Sequence, residues 1–236
     1  MRPSQRAPDA MRSVTIPRHY TKHAEGSVLV AFGDTRVLCT ATLDARVPPF
    51  LRDSGKGWVT AEYAMLPRSA QERIQRDAVR KGRALEISRL IGRSIRNVVD
   101  LKVLRDCQVI LDCDVLQADG GTRTAAVTGA FVALCDAVQG LLSDHRLERS
   151  PLLGQCAAVS VGVVEGEVRL DLCYEEDFVA DVDLNLVMRD SGEFIEVQAS
   201  AEGRSFAKQT FDEVLEVGAE GIRQIFAIQK EALERA

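Results

Sequence analysis

The sequence predicts an α+β fold, with hairpins of mixed sheet covered by helices on one side. Three observations predict it. Apolar runs of period two come in pairs separated by turn residues, and longer segments with apolar residues at helical spacing follow them. The order, hairpins before helices, occurs twice. One domain over 1–236 is expected, made of two similar halves: about 1–140, and about 151–236 after a polar connection at 141–153.

Each element follows from its residues. Residues 1–17 carry three prolines and several arginines without periodicity, which predicts an extended arm with Arg6 as solvated surface. Runs 27–32 and 36–42 are apolar and β-branched and flank Gly33, Asp34 and Thr35, so they form a hairpin. A loop with proline and glycine (47–56) precedes a strand at 58–63. Residues 68–83 are polar, arginine-rich and without an apolar stripe, so they are expected to be exposed. Residues 84–99 form an amphipathic helix. Ile87, Leu90, Ile91, Ile95 and Val98 point inward, and Arg89, Arg93 and Arg96 share the other side, where they repel one another unless an anion lies over them.

The stretch at 109–138 organises the chain. Val109, Leu111, Cys113 and Val115 alternate with Ile110, Asp112, Asp114 and Leu116, predicting a strand with both faces largely covered. Gly120 and Gly121 end it, and a helix starts at Thr122 or Arg123, with Ala126, Ala130, Ala133 and Ala137 at helical spacing. In the second half, 157–164 and 168–173 flank Glu165, Gly166 and Glu167 as one hairpin, and 182–188 and 193–199 flank 189–192 as another. A helix over 211–233 closes the chain.

Composition narrows the function. Hydrophobic residues at 46% and charged residues at 28% describe an ordinary globule. No signal peptide and no apolar run of bilayer length are evident, so a cytoplasmic location without membrane partners is expected. The six cysteines form no CxxC pair, which argues against zinc and a disulfide framework. Three scattered histidines argue against a metal cluster or a Ser–His–Asp hydrolase. The net charge of -5 hides a division: 68–105 holds eleven Lys or Arg against four Asp or Glu, whereas 151–236 holds seven against eighteen. Polyanion binding and carboxylate chemistry would thus come from different segments.

Two strings carry the chemistry. In ADGGTRT, a glycine turn opens a helix whose free N–H groups and dipole favour an anion; Thr122 and Thr124 offer hydroxyls and Arg123 a guanidinium fork. An ordinary turn with a capping threonine fits the same letters, and no Walker loop is present. In YEEDFVADVDLN, Asp181, Asp183 and Asn185 alternate and face one way, and carboxylates so close need a cation or a proton between them. A solvated acidic sheet edge fits that string as well.

These strings do not stand alone. With YTKHAEGSVLVAFGDTRVLCTAT, GWVTAEYAMLPR and RLIGRS, they occur in an order that resembles ribonuclease PH, a family of phosphate-dependent 3′-exoribonucleases, over nearly the whole chain. The resemblance implies a ribonuclease PH-type domain, a phosphate site at Arg83, Gly121, Thr122 and Arg123, and catalytic aspartates at Asp177 and Asp183 that also hold magnesium. It implies that Arg68, Arg73, Arg76 and Arg80 meet RNA. Inorganic phosphate is then the co-substrate, tRNA precursor 3′ ends the substrates, nucleoside diphosphates the products, and a homohexamer, a trimer of dimers, the assembly. One departure stands out: where the family has a longer GKQxGRTQEI, this chain reads RKGRALEI, with Ala84 and Leu85 in place of Thr and Gln. Other readings are a catalytic or scaffold subunit of an exosome-like ring, and a metal-dependent hydrolase.

Overall fold

The structure is a computed structural model that describes residues 2–3, 5–76, 82–105, 107–202 and 205–235. Its elements are β1 (Val14–Thr15), β2 (Gly26–Phe32), β3 (Thr35–Asp44), β4 (Trp58–Met65), α1 (Arg83–Arg96), β5 (Gln108–Gln117), α2 (Thr122–Ser143), β6 (Cys156–Val164), β7 (Glu167–Leu170), α3 (Tyr174–Val179), β8 (Val182–Arg189), β9 (Phe194–Ala201) and α4 (Lys208–Glu234). The first sheet runs β1-β2-β3-β5-β4, antiparallel except for the β4–β5 pair, which α1 connects as a crossover. The second runs β7-β6-β8-β9, antiparallel throughout. The α+β class is thus the observed one.

Helix α2 joins the two sheets. It touches β2, β3 and β5 on one side and β6 and β8 on the other, while α1 covers β4 and α4 covers β6, β7 and β8. Its sequence fits that position. Ala125, Ala126, Ala130, Ala133 and Ala137 are all fully buried, and small residues let two sheets approach one helix. Burial on nearly all sides also explains its composition, which by length and apolarity matches a bilayer span although most of it is buried in protein. The expectation that no apolar run is this long is therefore corrected; the run is a core helix. Asp136, its one buried acid, is paired with Arg18 at 2.7 Å.

The structure departs from the sequence reading in four further places. β5 is covered on one face only: Val109, Leu111, Cys113 and Val115 are buried, but Ile110, Asp112, Asp114 and Leu116 are half-exposed because, among the described residues, no element lies over that side. β7 stops at Leu170, since Asp171 adopts φ 54° and turns the chain out of the ladder. α1 starts at Arg83 and ends at Arg96, where Val99 leaves to bridge Leu152. The N-terminal arm is not solvated surface, because Arg2 and Arg12 are buried and Arg6 donates to the Asp171 carbonyl at 3.0 Å.

Candidate active site

The loop after β5 is built for close approach. Gly120 has φ 73° and Gly121 φ 64°, and a Cβ at Gly120 would lie 2.4 Å from the Leu172 carbonyl oxygen. Only glycine reaches this conformation and contact without strain. The contact is where the first half meets the second. Thr35, the first residue of β3, pins the loop: its hydroxyl donates to the Gly120 carbonyl at 2.6 Å and accepts the Asp119 N–H at 2.9 Å.

The first-turn N–H groups of α2 lack intrahelical acceptors, and Gly121, its N-cap, offers no side chain to cap them. Thr122 is buried, and its oxygen accepts the Tyr63 hydroxyl at 2.8 Å, leaving its own O–H to donate. Thr124, expected to offer a hydroxyl to the anion, instead donates it to the Gly121 carbonyl at 2.9 Å. Arg123 is held from the side: it donates to Gln198 Oε1 at 2.5 Å and lies 3.5 Å from Glu86, and Gln198 in turn donates to Glu86 at 2.9 Å.

Arg83 opens α1, and with Gly121, Thr122 and Asp177 it lines one cavity of about 470 Å³. The predicted residues therefore converge from α1, the α2 start and α3. Asp183 reaches them from β8, opposite Gly162. Burial pushes the Asp177 carboxyl above the usual carboxylate range, against the pull of Arg83, Arg123 and Arg12. Burial also raises Asp183, and the Asp177 charge raises it further, so the two acids sense each other. Asn185 donates to Asp183 at 3.3 Å. Among the described residues no group of three or more His, Cys, Asp or Glu could hold a metal. Two carboxylates suit a magnesium ion that keeps most of its waters.

Asp177 owes its place to residues that sequence reasoning missed. The preceding residue, Glu176, is 1% exposed and paired with Arg2, itself 1% exposed, at 2.7 Å, and its carboxylate accepts the Cys173 N–H at 3.2 Å. The Tyr174 N–H donates to Asp119 at 3.1 Å, tying α3 to the glycine loop. Arg12 binds Asp171 and also reaches the carbonyls of Asp119 and Gly120. An arginine in an aperiodic arm carries no local signal of such a partner; only the density of arginines in the arm hinted at it.

Arg68, Arg73 and Arg76 are exposed on the segment after β4, which contributes Ala70, Gln71 and Glu72 to the cavity wall; none of the three arginines lines it. Arg80 lies outside the described residues. The arginine face of α1 is less bare than expected. Arg93 pairs with Glu196 at 2.6 Å, and Arg96 lies 4.4 Å over the Trp58 ring and donates to the Val59 carbonyl.

Comparison with known proteins gives the family and the fold. The profile of the 3′ exoribonuclease family, domain 1, matches residues 10–138, and that of domain 2 matches residues 154–221. The chain belongs to this 3′ exoribonuclease family, the ribonuclease PH family. Its fold is similar to that of rice (Oryza sativa) Rrp46, at 20% identity and TM-score 0.79 over 99% of this chain and 100% of that one. It is also similar to a chain of the Archaeoglobus fulgidus exosome with RNA bound to the active site, at 24% identity and TM-score 0.81 over 95% and 91%. An archaeal exosome core chain follows at 23% identity and TM-score 0.75, over 96% and 90%.

Proposed function

We propose that this protein is a phosphate-dependent 3′→5′ exoribonuclease that trims tRNA precursors, a tRNA nucleotidyltransferase in the reverse direction. One observation carries the reading: Arg83, the start of α2 and Asp177 share one cavity. A phosphate oxygen attacks the phosphorus of the last phosphodiester, the bond to the 3′ oxygen breaks, and a nucleoside diphosphate leaves. Bringing two anions together demands cations and aligned N–H groups, which Arg83, Arg123, Thr122 and the α2 start supply. Asp177, whose carboxyl burial holds toward its protonated form, donates the proton to the leaving oxygen. Asp183 would hold magnesium, which when bound offsets charge on the phosphates; in the alternative division of roles Asp177 holds the ion as well and gives up the part of proton donor. Arg68, Arg73, Arg76 and Arg80 supply the positive path for the RNA.

A second reading is a subunit of an exosome-like ring, and the fold likeness to exosome chains favours it. Both are tested by incubating the purified chain with a tRNA carrying extra 3′ nucleotides, with and without phosphate. The first expects nucleoside diphosphates from the chain alone, only with phosphate. Activity that needs a partner chain supports the second, and monophosphates formed without phosphate overturn both.

A further inference from the structure

Helix α3 is built inside out. It buries its one fully enclosed charge, Glu176, and exposes its rings: Tyr174 is 46% and Phe178 77% exposed, the latter the most exposed large hydrophobic side chain among the described residues. The inward side is already taken by the Arg2–Glu176 ion pair, so the rings have no core to join. They lie one turn apart with centroids separated by 6.1 Å and planes tilted by 34°, and Asp177 stands between them in sequence. Tyr174 lines the same cavity as Arg83, Gly121, Thr122 and Asp177.

We infer that Tyr174 and Phe178 form a stacking platform for nucleobases at the 3′ end of single-stranded RNA, an inference that rests on the proposed function. A base brings a neutral π-face, and stacking on aromatic rings is indifferent to sequence, as an enzyme that removes any nucleotide requires. The charges agree. Glu175, which lines the cavity beside Tyr174, repels phosphates, whereas Arg83 in the same lining attracts them, so the backbone is drawn toward the arginine rather than the rings. The platform is also held in place before RNA arrives, because the Tyr174 N–H bonds Asp119 and Glu176 bonds Arg2. A helix whose main chain is already anchored loses little freedom when the rings it carries bind a base.

The test is a fluorescence titration of single-stranded RNA carrying aminopurine at its 3′ terminus, in phosphate-free buffer, with particle mass followed by light scattering. Stacking quenches the probe, so the wild-type chain should quench it. Phe178→Ala should weaken binding by about 5- to 100-fold. Phe178→Trp should restore it and Phe178→Leu should not, because leucine keeps the apolar bulk but has no π-face. An unchanged affinity in Phe178→Ala, full rescue by leucine, or a fall in particle mass would overturn the inference, the last by assigning the ring to a protein interface. Quenching without diphosphate release in the tRNA assay leaves the platform standing and removes the proposed activity. Diphosphate release by a chain whose Phe178→Ala variant binds normally does the reverse.

Discussion

Arg12 turns its main-chain N–H, its Nε and its Nη2 onto the single carboxylate of Asp171, at 2.8, 2.9 and 2.7 Å. Its remaining nitrogen reaches the Asp119 carbonyl, so one side chain ties the glycine loop of the first half to the segment that leads into α3. Arg12→Ala leaves a buried carboxylate whose remaining ionic partner among the described residues is Arg6, at 3.4 Å. The expected loss is about 3–5 kcal/mol in chemical denaturation. At temperatures where the variant remains folded, kcat for phosphorolysis should fall toward about 10²-fold, the cost of misplacing two halves of a site by about an ångström. A variant that loses stability but keeps kcat would show that the bridge serves the fold alone.

Arg123 follows Thr122 in the first turn of α2, with its guanidinium held by Gln198 and close enough to Asp177 to pull on its charge. Arg123→Ala should abolish phosphorolysis without unfolding the protein, because the residue is half-buried at a helix start rather than in the core. Diphosphate release at the wild-type rate and phosphate affinity would rule this arginine out of the site.

On the proposed function, Glu86 would compete with phosphate for Arg123. Its carboxylate lies 3.5 Å from the guanidinium and is half-exposed, so the pair is weak. Glu86→Gln should lower the phosphate KM by up to about fivefold, the equivalent of the ~0.2–1 kcal/mol that such pairs contribute. A raised KM would mean that Glu86 instead orients Arg123 productively.

Asp177 and Asp183 predict opposite effects on stability and rate. Both carboxyls have folded-state pKa values raised above those of the unfolded chain, so their ionisation costs the folded state. Stability from this source is present below the unfolded carboxylate pKa of about 4 and is lost as pH rises through the raised folded value. In metal-free buffer at pH 7, Asp183→Asn should therefore raise Tm, and the gain should vanish near pH 4. Single-turnover rates then separate the roles. Asp177→Asn should lose about 10²–10⁴-fold at every magnesium concentration, whereas Asp183→Asn should recover part of its rate as magnesium rises. Recovery of the first and not the second would reverse the assignment.

Assembly gives the last prediction. The outer face of the first sheet, with Leu38, Ile110 and Leu116 beside Asp112 and Asp114, is half-exposed in the isolated chain. Burial already holds both of these carboxyls above their usual range. Light scattering should report six chains per particle, and a stable monomer with full activity on tRNA would refute the hexamer.

Most elements and their order were legible in the sequence because periodicity and turn chemistry are local, whereas β1 and the six-residue α3 were missed because they are too short to show a period. Alternation over 109–116 gave β5, the glycine pair its end, and the alanine-rich spacing α2. The residue set Arg83, Gly121, Thr122, Arg123, Asp177 and Asp183 came from strings that carry the family resemblance, and the structure brings these residues to one place. Tertiary structure alone decided what lies between them. Whether a strand face is covered depends on what the rest of the chain lays over it, so β5 could not be read as one-sided from its own residues. Arg12 and Asp171 are 159 positions apart, and Arg2 and Glu176 are 174 apart. No spacing rule spans such distances, because a buried ion pair follows from where two segments meet and how completely water is excluded there. The sequence determined which groups could act on a phosphate; the packing of arm, loop and α3 decided which of them stand together and which, like Thr124 and Arg93, spend their bonds elsewhere.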